Sequence, residues 1–467
     1  MLLGIRLLAH PTEQQKIILS QWMGCSKLIW NAKCEDERYM TQYAVKYCPI
    51  KTYAPIDQSY SQYKNKELTP YLFDCPSQIL RNSATNWFDT YKKFIQGECG
   101  KPRRKLANDQ EGSIHLTREL FYFEKCADGN TRLFIGAKTN NIGYLSVKIH
   151  KNYSHPNSIY IKKKNGRYWV SFCYGEKSED SWSFNKDNLE WLKNQKEEFL
   201  IEHTVGIDRG VAIPVQAGDT AYNFTYEQQR KKEKYQKRIK HVQKNLSRKK
   251  YKSNRYNKNK LHLAKKHQKI ANINQDFCHK TSHSIVSNPK NKIIILEDLK
   301  TKNMTKKPAP KIATTNPITG TRTYAANKAA AKAGLNQAIL DKGWYRIENF
   351  IKYKSQKFGK AFFKIAANGT SQECAACGHT HSDNRKTQAE FICQVCNHSD
   401  NADHNAALVI IKRAIKLLLH PGTGLSKRGV LTPNLDIGRG AKSKTQSVLR
   451  TVSASGKEAS KKKICSA

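Results

Sequence analysis

A chain of 467 residues is long enough to hold two or three hydrophobic cores rather than one. Lys and Arg number 82 against 38 acids, a formal charge of +44 that repels itself and calls for a polyanion, nucleic acid first, because neutralised phosphates release counterions. The longest apolar stretch, Ala406 to Leu419, carries Lys412, Arg413 and Lys416, and Met1 to Pro11 lacks the basic-then-apolar order of a signal peptide, so no membrane partner is expected and an intracellular, cytoplasmic setting is, nucleoid-associated if the source is bacterial.

Leu3 to Ala9 alternates as a short first strand, and Thr12 with Gln15 has the spacing of a capping box for a helix that runs on through Trp22, Leu28 and Trp30. A second helix is expected from about Ser77 through Ile79, Leu80, Trp87 and Phe94. Between Arg118 and Gly175 the period changes to that of strands: Leu120–Phe123, Thr131–Ile135, Tyr144–Val147, Ser158–Ile161 and Tyr168–Tyr174. Lys164-Asn165-Gly166 is a tight-turn signal that makes the last two a hairpin. His203 to Asp208 and Asn291 to Leu299 are apolar strands ending in acids, and helical segments around them point to an α/β core. Between them, residues 230–280 hold nineteen Lys and Arg and two acids, Glu233 and Asp276. Their sparse apolar residues predict two long basic helices that break near Ser253-Asn254; a solvated hairpin without a partner is the competing reading. Thr301 to Ala333 reads as a mobile connector or lid, Leu335 to Phe358 as helical, and residues 421–467 as a disordered basic tail.

Nine of the thirteen cysteines (Cys25, Cys34, Cys48, Cys75, Cys99, Cys126, Cys173, Cys278 and Cys465) are scattered singly and are expected to be free thiols. The other four form Cys374-x2-Cys377, fifteen residues, then Cys393-x2-Cys396. Two such turns supply four thiolates for a closed, structural zinc site. Gly378 and Asn397 follow the two pairs, where the turn needs a residue that tolerates left-handed backbone angles. His379, His381 and His398 are alternative ligands, read instead as surface groups or nucleic-acid contacts.

Asp208 and Glu297 end strands, and Asp403 opens a helix seven residues after the last cysteine. Three carboxylates so placed can converge on one sheet edge and hold two Mg²⁺ ions about 4 Å apart, for in-line hydrolysis of a phosphodiester. Asp298 and Asp400 are neighbours that could be confused with them; Asp400 is a candidate helix N-cap and Asp298 faces away from Glu297.

Four motifs, Gly206-Ile-Asp-Arg-Gly210, Ile295-Leu-Glu-Asp-Leu299, Thr370-Ser-Gln-Glu-Cys-Ala-Ala-Cys-Gly-His379 and Asp403-His-Asn-Ala-Ala407, resemble those of the TnpB (OrfB) proteins of insertion sequences, relatives of the miniature type V CRISPR effectors. Weaker similarities at Pro11–Gln14, Gly24-Cys25, Gly100–Arg103, Leu335-Asn336 and Gly343-Trp344 extend the match over most of the chain. The resemblance implies a multidomain α+β protein with a RuvC-like (RNase H fold) α/β nuclease core at 201–368, containing the basic helices at 226–280. A zinc ribbon at 369–399 would be inserted before a RuvC-like C-terminal helix at 400–420. A β-barrel wedge domain would use residues 1–10 and 112–200, with a helical recognition domain inserted at 11–111. Asp208, Glu297 and Asp403 would be the catalytic Mg²⁺ ligands, and Cys374, Cys377, Cys393 and Cys396 the zinc ligands. The implied activity is RNA-guided cleavage of double-stranded DNA beside a short target-adjacent motif, with guide RNA and target DNA as partners and a monomer as the expected state. Two departures from the family pattern, Asn401 and Asn397, remove neither a carboxylate nor a zinc ligand. A DNA-binding transposase accessory or regulator, using the ribbon and basic helices without cleavage, is the main alternative. An effector that binds without cutting and an endonuclease without RNA are two others.

Overall fold

The computed structural model describes residues 3–47, 56–106, 111–125, 131–149, 152–175, 181–315, 319–387 and 389–433. They fall into two compact units, Leu2–Gly175 and Glu176–Leu435.

The first unit begins with β1 (Leu3–His10) and α1 (Glu13–Tyr47). The expected capping box opens the helix: the Thr12 amide donates to Gln15 Oε1 at 3.0 Å and the Gln15 amide to Thr12 Oγ1 at 3.3 Å. After α2 (Ser77–Ile95) come β2 (Gly112–Thr117), β3 (Phe121–Lys125), β4 (Thr131–Gly136), β5 (Asn141–Val147), β6 (Ser158–Lys164) and β7 (Arg167–Tyr174). They pair antiparallel in the order β2-β6-β7-β1-β5-β4-β3. The β6–β7 turn puts Asn165 at φ 52° and Gly166 at φ 75°, the left-handed pair that matches strand twist. Trp22 and Ile29 of α1 and Leu80 of α2 bury in one cluster with Leu7, Ile114, Ile161 and Val170. Helices and sheet therefore share a core.

The second unit opens with α3 (Ser181–Lys193) and α4 (Glu197–His203). The expected boundary at residue 200 thus lies too late. Leu189, Leu192 and Leu200 bury against Ile293, Phe363 and Ile410 of this unit, which is the physical reason. Next come β8 (Thr204–Asp208), β9 (Val215–Ala217), β10 (Thr220–Tyr222), α5 (Tyr226–Ser247), α6 (Asn254–Ser287) and β11 (Ile293–Glu297). The break between the basic helices falls at Ser253, whose hydroxyl caps α6 by accepting from the Tyr256 amide.

The connector expected to be mobile forms α7 (Thr301–Met304), an exposed hairpin of β12 (Lys311–Thr315) and β13 (Arg322–Ala325), and the first turn of α8 (Ala329–Lys342). Strand pairing and a bond from Asn336 Nδ2 to the Thr305 carbonyl at 2.9 Å hold these pieces. Gly343, at φ 72°, separates α8 from α9 (Trp344–Lys357). A strand absent from the sequence reading, β14 (Ala361–Ile365), follows.

The sheet order is β10-β9-β8-β11-β14; β8, β11 and β14 are parallel and β9 is antiparallel to β8. Ile293 and Ile295 pack on one face with Ile410, Ala414 and Leu418, while Ile294 and Leu296 pack on the other with Phe277, Ile285 and Ile347. Burial on both faces explains the unbroken apolar run. Beyond β14 lie β15 (Glu390–Ile392), β16 (Ser399–Asn401) and α10 (Ala402–Leu419). Helix α10 crosses β8 so closely that a Cβ on Gly206 would lie 2.3 Å from the Ala407 carbonyl oxygen.

Residues 421–433, expected to be disordered, instead form the hairpin β17 (Thr423–Leu425) and β18 (Leu431–Pro433), because Leu425 and Leu431 join the core beneath the sheet. The tail from 434 on lies outside the described residues, as do Cys48, Cys126 and Cys465. Cys25, Cys34, Cys75, Cys99, Cys173 and Cys278 are free thiols. Among the described residues no helix is long and apolar enough to cross a membrane.

Candidate functional site

Parallel register sets the first two acids side by side. Ile207 of β8 lies opposite Leu296 of β11, so Asp208 and Glu297 leave the sheet at the same edge. Helix α10 brings Asp403 to that edge in its first turn, and a Cβ on Gly210 would lie 3.4 Å from Asp403 Oδ2. Glu297 and Asp403 are buried and Asp208 is partly exposed. Burial, then the charges of Glu297 and Asp403, push the Asp208 carboxyl up to about 7. Burial also raises Glu297, against the lowering influence of Thr370 and nearby arginines. All three expected acids are therefore brought together.

Each is held by a different neighbour. Asp208 Oδ1 accepts from the Arg209 amide at 2.8 Å, Glu297 Oε1 accepts from the Thr370 hydroxyl, and Asp403 Oδ1 accepts from Arg385 Nη2 at 3.1 Å. Behind them the buried Arg209 guanidinium donates to the Glu297 carbonyl at 2.6 Å and to Glu348 Oε2 at 2.9 Å. Trp344 Nε1 reaches the Gly210 carbonyl at 3.2 Å. Asp298 turns aside to the buried Lys364, whose Nζ lies 2.8 Å from its Oδ1 and 3.2 Å from Glu348. Burial opposes ionisation of Asp298, but the Lys364 bond and charge prevail and hold its carboxyl below the usual range. Asp400 is not the helix cap. Asn401 takes that place, accepting from the Asp403 and His404 amides at 3.0 and 3.3 Å, because Asp400 is engaged by His404 Nδ1 at 2.7 Å.

The four expected cysteines meet as one cluster with every Sγ within 4.8 Å of the others. Cys374 and Cys396, and Cys377 and Cys393, are 3.6 Å apart, close to the roughly 3.8 Å that tetrahedral Zn–S bonds of about 2.3 Å impose. Gly378 at φ 78° and Asn397 at φ 56° make the two turns as the sequence predicts. The Cys393 thiol is lowered to about 6, chiefly by the Cys396 amide. This donor set fits zinc. Among the described residues it is the one His, Cys, Asp or Glu set of such closeness, so the three carboxylates are more widely spread.

Sequence reasoning named Thr370 and Arg209 within its motifs without giving either a role, and it missed Arg385, Glu348 and Lys364. Thr370 adjoins the first CxxC, a position that could have drawn notice. Arg385 lies in an irregular loop among other polar residues, where no period marks it. The basic helices α5 and α6 pack on each other, and α6 packs on α9. Lys237, Lys244, Lys258 and Lys265 are exposed.

Residues 189–307 match the family model OrfB_IS605, described as "Probable transposase", and residues 344–410 match the "Cas12f1-like, TNB domain" model. The first match spans Asp208 and Glu297; the second spans all four clustered cysteines and Asp403. InsQ of Escherichia coli (strain K12), named as a candidate RNA-guided DNA endonuclease, is 28% identical over 407 residues, 86% of this chain and 90% of that protein. The CRISPR-associated endodeoxyribonuclease Cas12f1 of Sulfoacidibacillus thermotolerans is 42% identical over 64 residues, 14% of this chain and 15% of that protein. A chain from the cryo-EM structure of the Cas12f1-sgRNA-target DNA complex aligns with a TM-score of 0.51 at 14% identity, covering 86% of this chain and 83% of that one, a likeness of fold. The resemblance carried by the four motifs is thereby borne out: the chain matches the OrfB_IS605 and Cas12f1-like TNB models over the segments that hold those motifs, and it is similar over most of its length to InsQ.

Proposed function

We propose that this protein is an RNA-guided endonuclease that cleaves double-stranded DNA beside a short target-adjacent motif. The observation that carries this reading is the meeting of Asp208, Glu297 and Asp403 at one sheet edge. The names of the relatives, which specify an RNA-guided DNA endonuclease, support the same activity here. The order β10-β9-β8-β11-β14, with one antiparallel strand beside three parallel ones, supports a RuvC-like core of RNase H type. The first unit is read as the wedge and helical recognition parts, and residues 369–399 as the zinc ribbon.

The three acids offer hard oxygen ligands that repel one another, the donor set that suits Mg²⁺. Bound there, a pair of such ions supplies an activated water and stabilises the leaving oxygen. The chain's own contribution is to hold the acids ready. The Arg209 amide fixes Asp208, Thr370 orients Glu297, and Arg385 places a positive charge beside Asp403. The exposed lysines of α5 and α6 bind phosphates of the guide RNA or its duplex with DNA.

The test is to recover RNA with the purified protein and ask whether the complex linearises a plasmid bearing the matching target in Mg²⁺. Cleavage that survives Asp208→Ala or Glu297→Ala overturns the acid assignment. Equal cleavage by RNA-free protein overturns guidance.

A further inference from the structure

The loop between β14 and the first CxxC is fastened to α10 at two points. Arg413 of α10 donates through Nε to Glu373 Oε2 at 2.6 Å and through Nη1 to the Asn368 carbonyl at 2.6 Å. The fully buried Asn405, also on α10, donates to the Glu373 carbonyl at 2.8 Å and accepts from the Ala375 amide at 2.9 Å. Gly369 at φ 74° makes the turn that aims the next residue inward. That residue, Thr370, is buried, and its hydroxyl meets Glu297 Oε1.

A hydroxyl carries one proton, and of the two acceptors that face it, the Ala367 carbonyl at 3.2 Å and the nearer Glu297 carboxyl oxygen, the nearer takes it. The Glu297 oxygen that accepts it is thereby fixed, and the side chain's rotation is stopped with the other oxygen free. Such outer partners of ligating carboxylates commonly change metal affinity by about 10- to 100-fold.

Resting on the reading above, we propose that Thr370 is a positioning residue for the carboxylate centre: its hydroxyl orients Glu297 for a divalent cation, and the ribbon's attachment to α10 holds Thr370 in place.

The experiment uses the full chain free of nucleic acid, with Mn²⁺ as the probe in titration calorimetry. Thr370→Val keeps the volume and removes the donor; Thr370→Ser keeps the donor. The expected result is at least about a tenfold loss of Mn²⁺ affinity in Thr370→Val. Thr370→Ser should bind within a few-fold of the parent, and zinc content should be unchanged in both. If the parent binds Mn²⁺, Glu297→Gln abolishes binding, and Thr370→Val binds like the parent, the positioning role alone is wrong. It is also wrong if Thr370→Ser fails as badly as Thr370→Val. If the parent does not bind Mn²⁺, or Glu297→Gln leaves binding intact, the carboxylate reading is wrong and this role falls with it.

Discussion

Asp208 and Glu297 stand side by side because the residues before them, Ile207 and Leu296, pair in parallel register. The apolar strands thereby serve two ends at once. Their side chains fill both faces of the sheet, and their ends deliver two like charges to one place.

That crowding predicts a pH dependence. In Mg²⁺-free buffer Asp208 holds its proton to about pH 7, well above the usual carboxylate value. The folded chain then binds more protons than the unfolded chain between roughly pH 4 and 7, so this group's contribution to stability falls as pH rises through that window. Asp208→Asn should flatten the fall in thermal melts. Mg²⁺ binding at pH 6 should release a proton and that at pH 8.5 almost none, read by calorimetry in buffers of different ionisation enthalpy.

Arg209 joins the end of β11 to α9 through its buried guanidinium. Arg209→Ala leaves Glu348 short of a counter-charge and the Glu297 carbonyl short of a donor. A loss of about 3–5 kcal/mol is expected in denaturant titration. Arg209→Lys should recover only part, since it has no planar fork to serve both acceptors.

Gly206→Ala puts a methyl group 2.3 Å from backbone, not from a side chain that could swing away. Helix α10 must shift, and Asp403 with it. A cost of about 1–3 kcal/mol is expected by chemical denaturation, with a larger proportional loss of cleavage than of RNA binding.

Cys374→Ser should reduce zinc from about one ion per chain in metal analysis. A loss of about 2–3 kcal/mol should lower the melting temperature by roughly 5–10 °C at this domain size.

Alanine at Lys237, Lys244, Lys258 and Lys265 should weaken RNA binding. The salt slope of log affinity should fall by about 1 for each phosphate that is no longer neutralised. An unchanged slope would remove the basic helices from the RNA-binding surface.

Much of this was legible in residue order. Apolar runs closed by an acid marked β8 and β11, and Asn165-Gly166 marked its hairpin, because those patterns have a local physical cause. The strand Ala361–Ile365 escaped notice because Lys364 interrupts it; that lysine is buried only because Asp298 and Glu348 meet it there. The hairpin at 423–433 hid in a stretch poor in apolar residues, where two leucines suffice once the sheet is present to receive them. Asn401 rather than Asp400 caps α10 because His404 takes Asp400, a competition visible only in three dimensions. Thr370 and Arg385 act across the fold on acids distant in sequence, a pairing without a one-dimensional signature.

Helix α10 both covers Gly206 and carries the third acid. On the ribosome, Asp208 and Glu297 emerge long before this helix does. A growing chain thus holds two of its three acids while one face of its central sheet is covered only by α3 and α4. Residues from 402 on add α10 and then the hairpin β17–β18 to that face, and α10 brings the third acid to the edge. A chain that stopped before residue 402 would therefore lack Asp403 at the sheet edge and leave Ile293, Ile295 and Phe363 partly uncovered.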